Sequence, residues 1–260
     1  MSSRFNSIKH WLRKHGQVID KVNNLYGKTL SQDGVLTYGK NLGFLEDPAF
    51  KAAWQVTQEA NTGGWPQGVP DVRWRVHMAL WAAQQGLQLE GDFVECGVHT
   101  GLFSVAICHA LNFSSLPRSF YLFDTFNGIP LDNILDTERE RVVASNASYY
   151  GDVFEIASRN FAAFPNAKLV KGNLPETLKT VELNKIAYLS VDLNNAAAEK
   201  AVITHLWDKL VPGAVVLIDD YAWETCEDQY AMWNAFAAAK GLAIATLPTG
   251  QGLLLKPPSR

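Results

Sequence analysis

Two spacings of apolar residues alternate along most of this chain. From Asp92 onward, short apolar runs are separated by stretches in which apolar positions recur at helical spacing. The runs Asp92–Cys96, Ser119–Phe123, Lys168–Val170, Ile186–Val191 and Ala214–Ile218 read as strands. Helices are expected from about Gly101 to Leu111, around Phe154–Phe161, over Pro175–Val181, over Ala197–Leu210 and over roughly Asp228–Lys240. Repeated strand–helix alternation predicts a parallel sheet with helices on both faces. Leu242–Leu247 and Gly252–Leu255 are linked only by Pro248-Thr249-Gly250-Gln251, which allows nothing but a hairpin, so the last strand runs antiparallel. The expected fold is therefore α/β, with a mostly parallel seven-stranded sheet. If Leu242–Leu247 is parallel to the rest, the hairpin tip opens on the ligand-binding edge.

The N-terminal part follows another pattern. Phe5, Ile8, Trp11 and Leu12 lie at near-helical spacing, and Val18, Ile19, Val22 and Leu25 continue the stripe, so Met1 to about Ala60 is expected to be helical. Four Lys/Arg and no acid fall between Arg4 and Lys14. Such a basic face can lie on an anionic membrane, but a segment this short is expected to pack on the core or a partner subunit. Residues 61–70 form a Gly/Pro loop, either a border of a ligand site or, at least as readily, a plain connector. Asp71 is placed to cap a helix that ends near Gly86. The organisation expected is a helical segment over residues 1–70, as lid or contact in a homo-oligomer, and an α/β domain over 71–260.

Composition narrows the function classes. The chain has 260 residues, 47% hydrophobic and 19% charged, which supports a sizeable core and argues against disorder. A net charge of −3 gives no electrostatic case for nucleic-acid binding. No apolar run is long enough to cross a bilayer, and Met1 to Arg13 lacks the apolar core of a secretory signal. Cys96, Cys108 and Cys226 are odd in number and form no CxxC pair, so a cytoplasmic protein with reduced thiols is expected.

The candidate chemistry lies at the strand ends, where open parallel sheets bind ligands. Phe93-Val94-Glu95-Cys96-Gly97-Val98-His99-Thr100-Gly101 is a strand, a glycine turn and a helix start. It is not the dinucleotide fingerprint G-x-G-x-x-G and it carries no phosphate-binding lysine. Glu95 would repel a pyrophosphate but suits a cationic ligand. Asp124 ends the second strand, where an acid accepts hydrogen bonds from ribose hydroxyls. Together these features point to an adenosyl ligand with a positive centre, which S-adenosylmethionine fits better than NAD. Asp192, Asp219 and Asp220 end two apolar runs. Neighbouring strands would bring the three together as ligands for a hard divalent cation, with Asp192 also a candidate base. Their alternative role is capping of the following helices.

Gly91-Asp92-Phe93-Val94-Glu95-Cys96-Gly97-Val98, Leu122-Phe123-Asp124-Thr125-Phe126-Asn127-Gly128-Ile129-Pro130 and Leu217-Ile218-Asp219-Asp220-Tyr221 resemble, in this order, the macrocin O-methyltransferase (TylF-like) family. The resemblance covers roughly Arg73 to Lys256. It implies a Rossmann-like class I methyltransferase domain over 71–260, S-adenosylmethionine as cofactor, and Mg²⁺-dependent methylation of a hydroxyl on a sugar or glycosylated metabolite. By the same resemblance Glu95, Cys96, Gly97, Thr100 and Gly101 line the methionine and ribose part of the cofactor. Asp124 holds the ribose, Thr125 and Phe126 lie beside the adenine, and Gly172 and Asn173 approach the adenosyl group. Asp192, Asp219 and Asp220 match the metal acids. The chain departs from the family after Asp192, where Leu193-Asn194-Asn195-Ala196-Ala197-Ala198 replaces an aspartate-rich segment with a tyrosine. A different acceptor pocket is therefore expected.

Candidate acceptor contacts are His99 in the turn, Tyr221 and Trp223 after the metal acids, and Gln251 at the hairpin tip. Each has a plain structural alternative, as polar contact, packing or turn residue. Two other classes stay open: a nicotinamide-dependent oxidoreductase, and a non-catalytic subunit that binds S-adenosylmethionine.

Overall fold

The computed structural model describes residues 29–132 and 134–258. The basic stripe between Arg4 and Leu25 lies outside them. Where the helical expectation can be compared, residues 29–38 depart from it. Thr29–Gln32 (β1) and Val35–Tyr38 (β2) pair antiparallel. Asp33 and Gly34 turn between them with φ of +49° and +72°. Asp-Gly is a strong two-residue hairpin signal, because both central residues of that turn need positive φ. Pro48–Asn61 (α1) is helical as expected, with Asp47 Oδ1 accepting from Phe50 N at 2.9 Å. Its Phe50 and Trp54 are buried in the same core as the sheet, so residues 48–61 are integral with the α/β unit.

Arg73–Leu87 (α2) starts without a side-chain cap. Asp71 instead makes a two-pronged pair with Arg73 at 2.8 Å, which corrects the expected cap. Then follow Asp92–Cys96 (β3), Leu102–Ala110 (α3), Phe120–Asp124 (β4), Asp136–Ser148 (α4), Phe154–Phe161 (α5) and Ala167–Lys171 (β5). Ile186–Val191 (β6), Ala196–Leu206 (α6), Leu210–Ile218 (β7), Glu227–Ala239 (α7), Ala245–Thr246 (β8) and Gly252–Leu255 (β9) complete the order. The helix expected over Ala197–Leu210 stops at Leu206, and Leu210 already belongs to β7. Asn195 caps that helix through Ala198 N at 2.8 Å.

The main sheet has seven strands in the order β5-β4-β3-β6-β7-β9-β8. β3 to β7 are parallel, and β9 runs antiparallel to both β7 and β8. β8 is thus parallel to the rest, so the β8–β9 tip opens on the carboxyl edge. Alternate residues of β3 feed opposite cores, as the period of a strand requires. Phe93 packs with Phe120, Tyr188 and helices α1 to α3, whereas Val94 and Cys96 pack with Leu189, Val191 and the α6–α7 side. Both faces are covered, as a parallel sheet demands. No helix among the described residues is long and apolar enough to cross a membrane.

Candidate active site

Register brings the candidate residues to one edge. Asp192 N donates to Cys96 O at 2.8 Å and Asp219 N donates to Val191 O at 3.0 Å, so β3, β6 and β7 end in step. The chain can cross there only because position 97 lacks a side chain. Gly97 has φ +90°, and a Cβ on it would lie 1.7 Å from Asp192 O. A cavity of about 650 Å³ opens above these ends.

Glu95, Gly97, Asp124, Thr125, Phe126, Gly172 and Asn173 all line this cavity. Asp124 Oδ2 accepts from Val98 N at 2.5 Å and His99 N at 2.8 Å, and its Oδ1 accepts from Phe126 N at 2.6 Å. The carboxylate thereby pins the glycine turn to the β4 end and presents a fixed acceptor to the cavity. Glu95 is buried, with Oε1 3.4 Å from Ser104 Oγ and Oε2 without a partner. Burial pushes its pKa well above the usual carboxylate range. A cationic ligand at Oε2 would restore the charged form.

Asp192, Asp219 and Asp220 line the cavity too, and one carboxylate oxygen of each lies within 4.8 Å of the others. Burial, then Asp219 and Asp220, raise the pKa of Asp192 well above normal. Burial and Asp219 push Asp220 up to about 6. Like charges this close in a buried cluster need a counter-ion. Arg75 supplies part of it: its Nη1 donates to Asp219 Oδ2 at 2.6 Å. Gln251 Nε2 donates to the other oxygen of Asp219 at 2.9 Å, and Asn194 Nδ2 donates to Asp192 Oδ1 at 2.9 Å.

Residues 77–245 match the family model described as Macrocin-O-methyltransferase (TylF). The chain belongs to this family. Mycinamicin III 3''-O-methyltransferase of Micromonospora griseorubida is 26% identical over 151 residues, 53% of this chain and 58% of that protein. The 8-demethyl-8-(2,3-dimethoxy-alpha-L-rhamnosyl)-tetracenomycin-C 4'-O-methyltransferase of Streptomyces olivaceus is 26% identical over 148 residues, 53% of this chain and 56% of that one. The chain spans just over half the length of these relatives. Among solved structures, the O-methyltransferase NovP superposes with a TM-score of 0.63 at 20% identity, covering 78% of this chain and 88% of NovP. The calicheamicin methyltransferase CalS11 gives 0.56 at 18%, covering 83% and 93%. These likenesses establish the fold as that of class I O-methyltransferases.

Not every residue singled out in the sequence reaches the cavity of this TylF-family chain. Cys96 points into the α6–α7 core, and Thr100 is buried against Asn61 of α1. Gly101, at φ +94°, makes room for Phe161 of α5, 2.6 Å from where its Cβ would be. Tyr221 is buried on Tyr230, with its hydroxyl donating to Asn234 Oδ1 at 3.0 Å. Trp223 lies under the Arg75 guanidinium, 5.6 Å from the ring centre. Gln251 is buried and acts on Asp219. His99 does line the cavity.

Arg75, Asp33, Trp65 and Tyr150 were not singled out. Arg75 sits on α2 and also grips Asp33 at the β1–β2 tip, through Nε at 2.7 Å and Nη2 at 2.8 Å. Burial alone would lower its pKa, but Asp219 and Asp33 hold it above the ordinary value. The hairpin is thus tied to the acid cluster through one guanidinium. Asp33→Ala is expected to lower stability by about 1–3 kcal/mol, the usual cost of removing hydrogen bonds to a charged group. Urea titration checks this, and hydrogen exchange should place the loss at residues 29–38.

Proposed function

We propose that this chain is an S-adenosylmethionine-dependent O-methyltransferase acting on a hydroxyl of a sugar or glycosylated metabolite, with Mg²⁺ held by Asp192, Asp219 and Asp220. The carrying observation is that one cavity contains both an adenosyl-type cradle and a triple carboxylate cluster. The names of both relatives describe O-methylation, in one case of a rhamnosyl compound, which supports a hydroxyl acceptor here.

The residues present fit the cofactor. Gly97 and Gly172 keep the strand ends bare, Asp124 offers oxygens to a diol, and the unpartnered Glu95 Oε2 suits a cation. That same carboxylate would repel the pyrophosphate of a dinucleotide, which weighs against the nicotinamide reading. Bound there, the cofactor supplies a methyl group on a positively charged sulfur. The acids fit Mg²⁺, which takes oxygen ligands, keeps several waters and needs only two or three carboxylates. Bound there, the cation supplies Lewis acidity to a hydroxyl oxygen.

The chain does the positioning. In-line displacement needs the acceptor oxygen held close to the methyl carbon. The Asp192–Cys96 backbone bond sets the end of β6 beside the glycine turn, so a proton acceptor at Asp192 stands next to the cofactor cradle. Arg75 orients Asp219, and Asn194 orients Asp192. The buried, unpaired Cys96, Cys108 and Cys226 suit a reducing, cytoplasmic setting. The exposed Leu36 on β2 offers an apolar contact to a homo-oligomer.

Calorimetric titration with S-adenosylhomocysteine and NAD tests the reading. Wild-type protein is expected to bind the first and not the second. Asp124→Asn should weaken S-adenosylhomocysteine by about 10- to 100-fold, the worth of a hydrogen bond to a charged acceptor. Binding of NAD alone, or unchanged affinity in Asp124→Asn, would overturn it.

A further inference from the structure

Two ring nitrogens on the cavity wall are buried without a protein partner: Trp65 Nε1 and His99 Nε2. The rings sit edge to face with centroids 4.5 Å apart. The Tyr150 ring completes the group at 5.5 Å from His99 and 6.5 Å from Trp65. After burial, Asp192, Asp220 and Asp219 are the groups that most raise the pKa of the Tyr150 phenol, which places this aromatic group beside the acid cluster.

A chain of hydrogen bonds fixes which His99 nitrogen carries the proton. Asn61 Nδ2 donates to Thr57 O at 2.8 Å, so Asn61 Oδ1 is left facing Thr100. It accepts a short hydrogen bond from Thr100 Oγ1. A hydroxyl has one proton. With that proton directed at Asn61, Thr100 Oγ1 meets His99 Nδ1, 3.2 Å away, only as an acceptor. His99 is therefore the Nδ1–H tautomer, and Nε2 carries a bare lone pair. Burial also lowers the pKa of the ring to about 4, which keeps it neutral near pH 7. The backbone of His99 adopts φ +52°, held by its own N–H on Asp124. Such a conformation costs a non-glycine residue about 1–3 kcal/mol and is concentrated at functional sites.

We propose that His99 Nε2 and Trp65 Nε1 are the hydroxyl-recognising pair of the acceptor subsite, the first accepting a hydrogen bond from a hydroxyl and the second donating one. This rests on the methyltransferase reading and names the specificity residues of the same site. A lone acceptor beside a lone donor matches the neighbouring hydroxyls of a neutral sugar ring. An anionic acceptor is disfavoured, because its charge would meet Asp124 and the three clustered acids.

The test uses the full chain labelled with ¹⁵N at histidine, first without ligand for the tautomer and then with S-adenosylhomocysteine present for the sugar titrations. Two-bond ¹H–¹⁵N spectra at pH 7 are expected to show His99 protonated at Nδ1 and bare at Nε2, and Thr100→Val should mix the tautomers. Methyl α-L-rhamnopyranoside at up to hundreds of millimolar should shift Nε2, while D-glucuronate should not. His99→Asn, which tolerates positive φ, and Trp65→Phe, which keeps the ring, should each weaken the rhamnoside about 5- to 10-fold and leave S-adenosylhomocysteine affinity within twofold. A proton on Nε2 in the wild type, an Nε2 resonance unmoved by the rhamnoside, or unchanged rhamnoside affinity in both variants overturns the proposal. Failure of S-adenosylhomocysteine to bind would instead overturn the methyltransferase reading, because the tautomer is read without it.

Discussion

Asp192→Ala is expected to lose methyl transfer by about 10³-fold or more while the protein stays folded. Removing one of the three proposed cation ligands forfeits charge stabilisation worth several kcal/mol, and about 4 kcal/mol of barrier corresponds to that factor. Asp192 is a better choice than Asp219, because Asp219 is locked between Arg75 and Gln251. Asp192 has only the flexible amide of Asn194 on its Oδ1. The apo protein should even gain about 0.5–2 kcal/mol, since one of three crowded like charges is gone and sites of this kind trade stability for function. Added Mg²⁺ should raise the melting temperature of the wild type and not that of the variant. Turnover that persists in Asp192→Ala, or in wild type with excess chelator, would dismiss the cation from the mechanism.

Gly97→Ala is expected to be the most damaging glycine-to-alanine change among the described residues. Its Cβ would be placed 1.7 Å from Asp192 O, far inside any tolerated contact, and the residue would also have to adopt φ +90°. The backbone strain alone is about 1–3 kcal/mol. The clash must be relieved by parting β3 from β6, so a loss of roughly 4 kcal/mol or more is expected. Gly151→Ala is the control: nothing lies within 4 Å of its Cβ, and a change within about 0.5 kcal/mol is expected. Urea midpoints read both. S-adenosylhomocysteine titration should show the cofactor lost in the first and kept in the second.

What the sequence disclosed is what local pattern encodes. Ile186–Val191 and Phe154–Phe161 have the expected limits, because a buried run and a strongly one-sided helix leave little choice. The three acids were readable because strand ends carry ligands in any open parallel sheet. Helix α4 was not resolved as an element, since Asp136–Ser148 buries only Glu138 and Val142 and so shows no apolar stripe. The Asp33-Gly34 hairpin signal was present in the sequence, but the stripe running to Leu25 was extended across it. Arg75 could not be placed in advance. It looks like an exposed helix charge, and its partners are 42 positions before it and 144 after it. The same holds for Asn61, Thr100 and His99, whose relay exists only once α1 packs beside the glycine turn.

The placement of β9 between β7 and β8 bears on how the protein is made. During synthesis the N-terminal portion emerges first. Asp219 leaves the ribosome 32 residues before Gln251, the side chain that satisfies its second oxygen. Over that interval β7 has an open edge and Asp219 has one brace instead of two. An uncovered strand edge is a template for pairing with other chains. Translation past Leu255 therefore closes the sheet and finishes the bracing of Asp219 in one event, so nascent chains stalled between these points should be the species that chaperones retain.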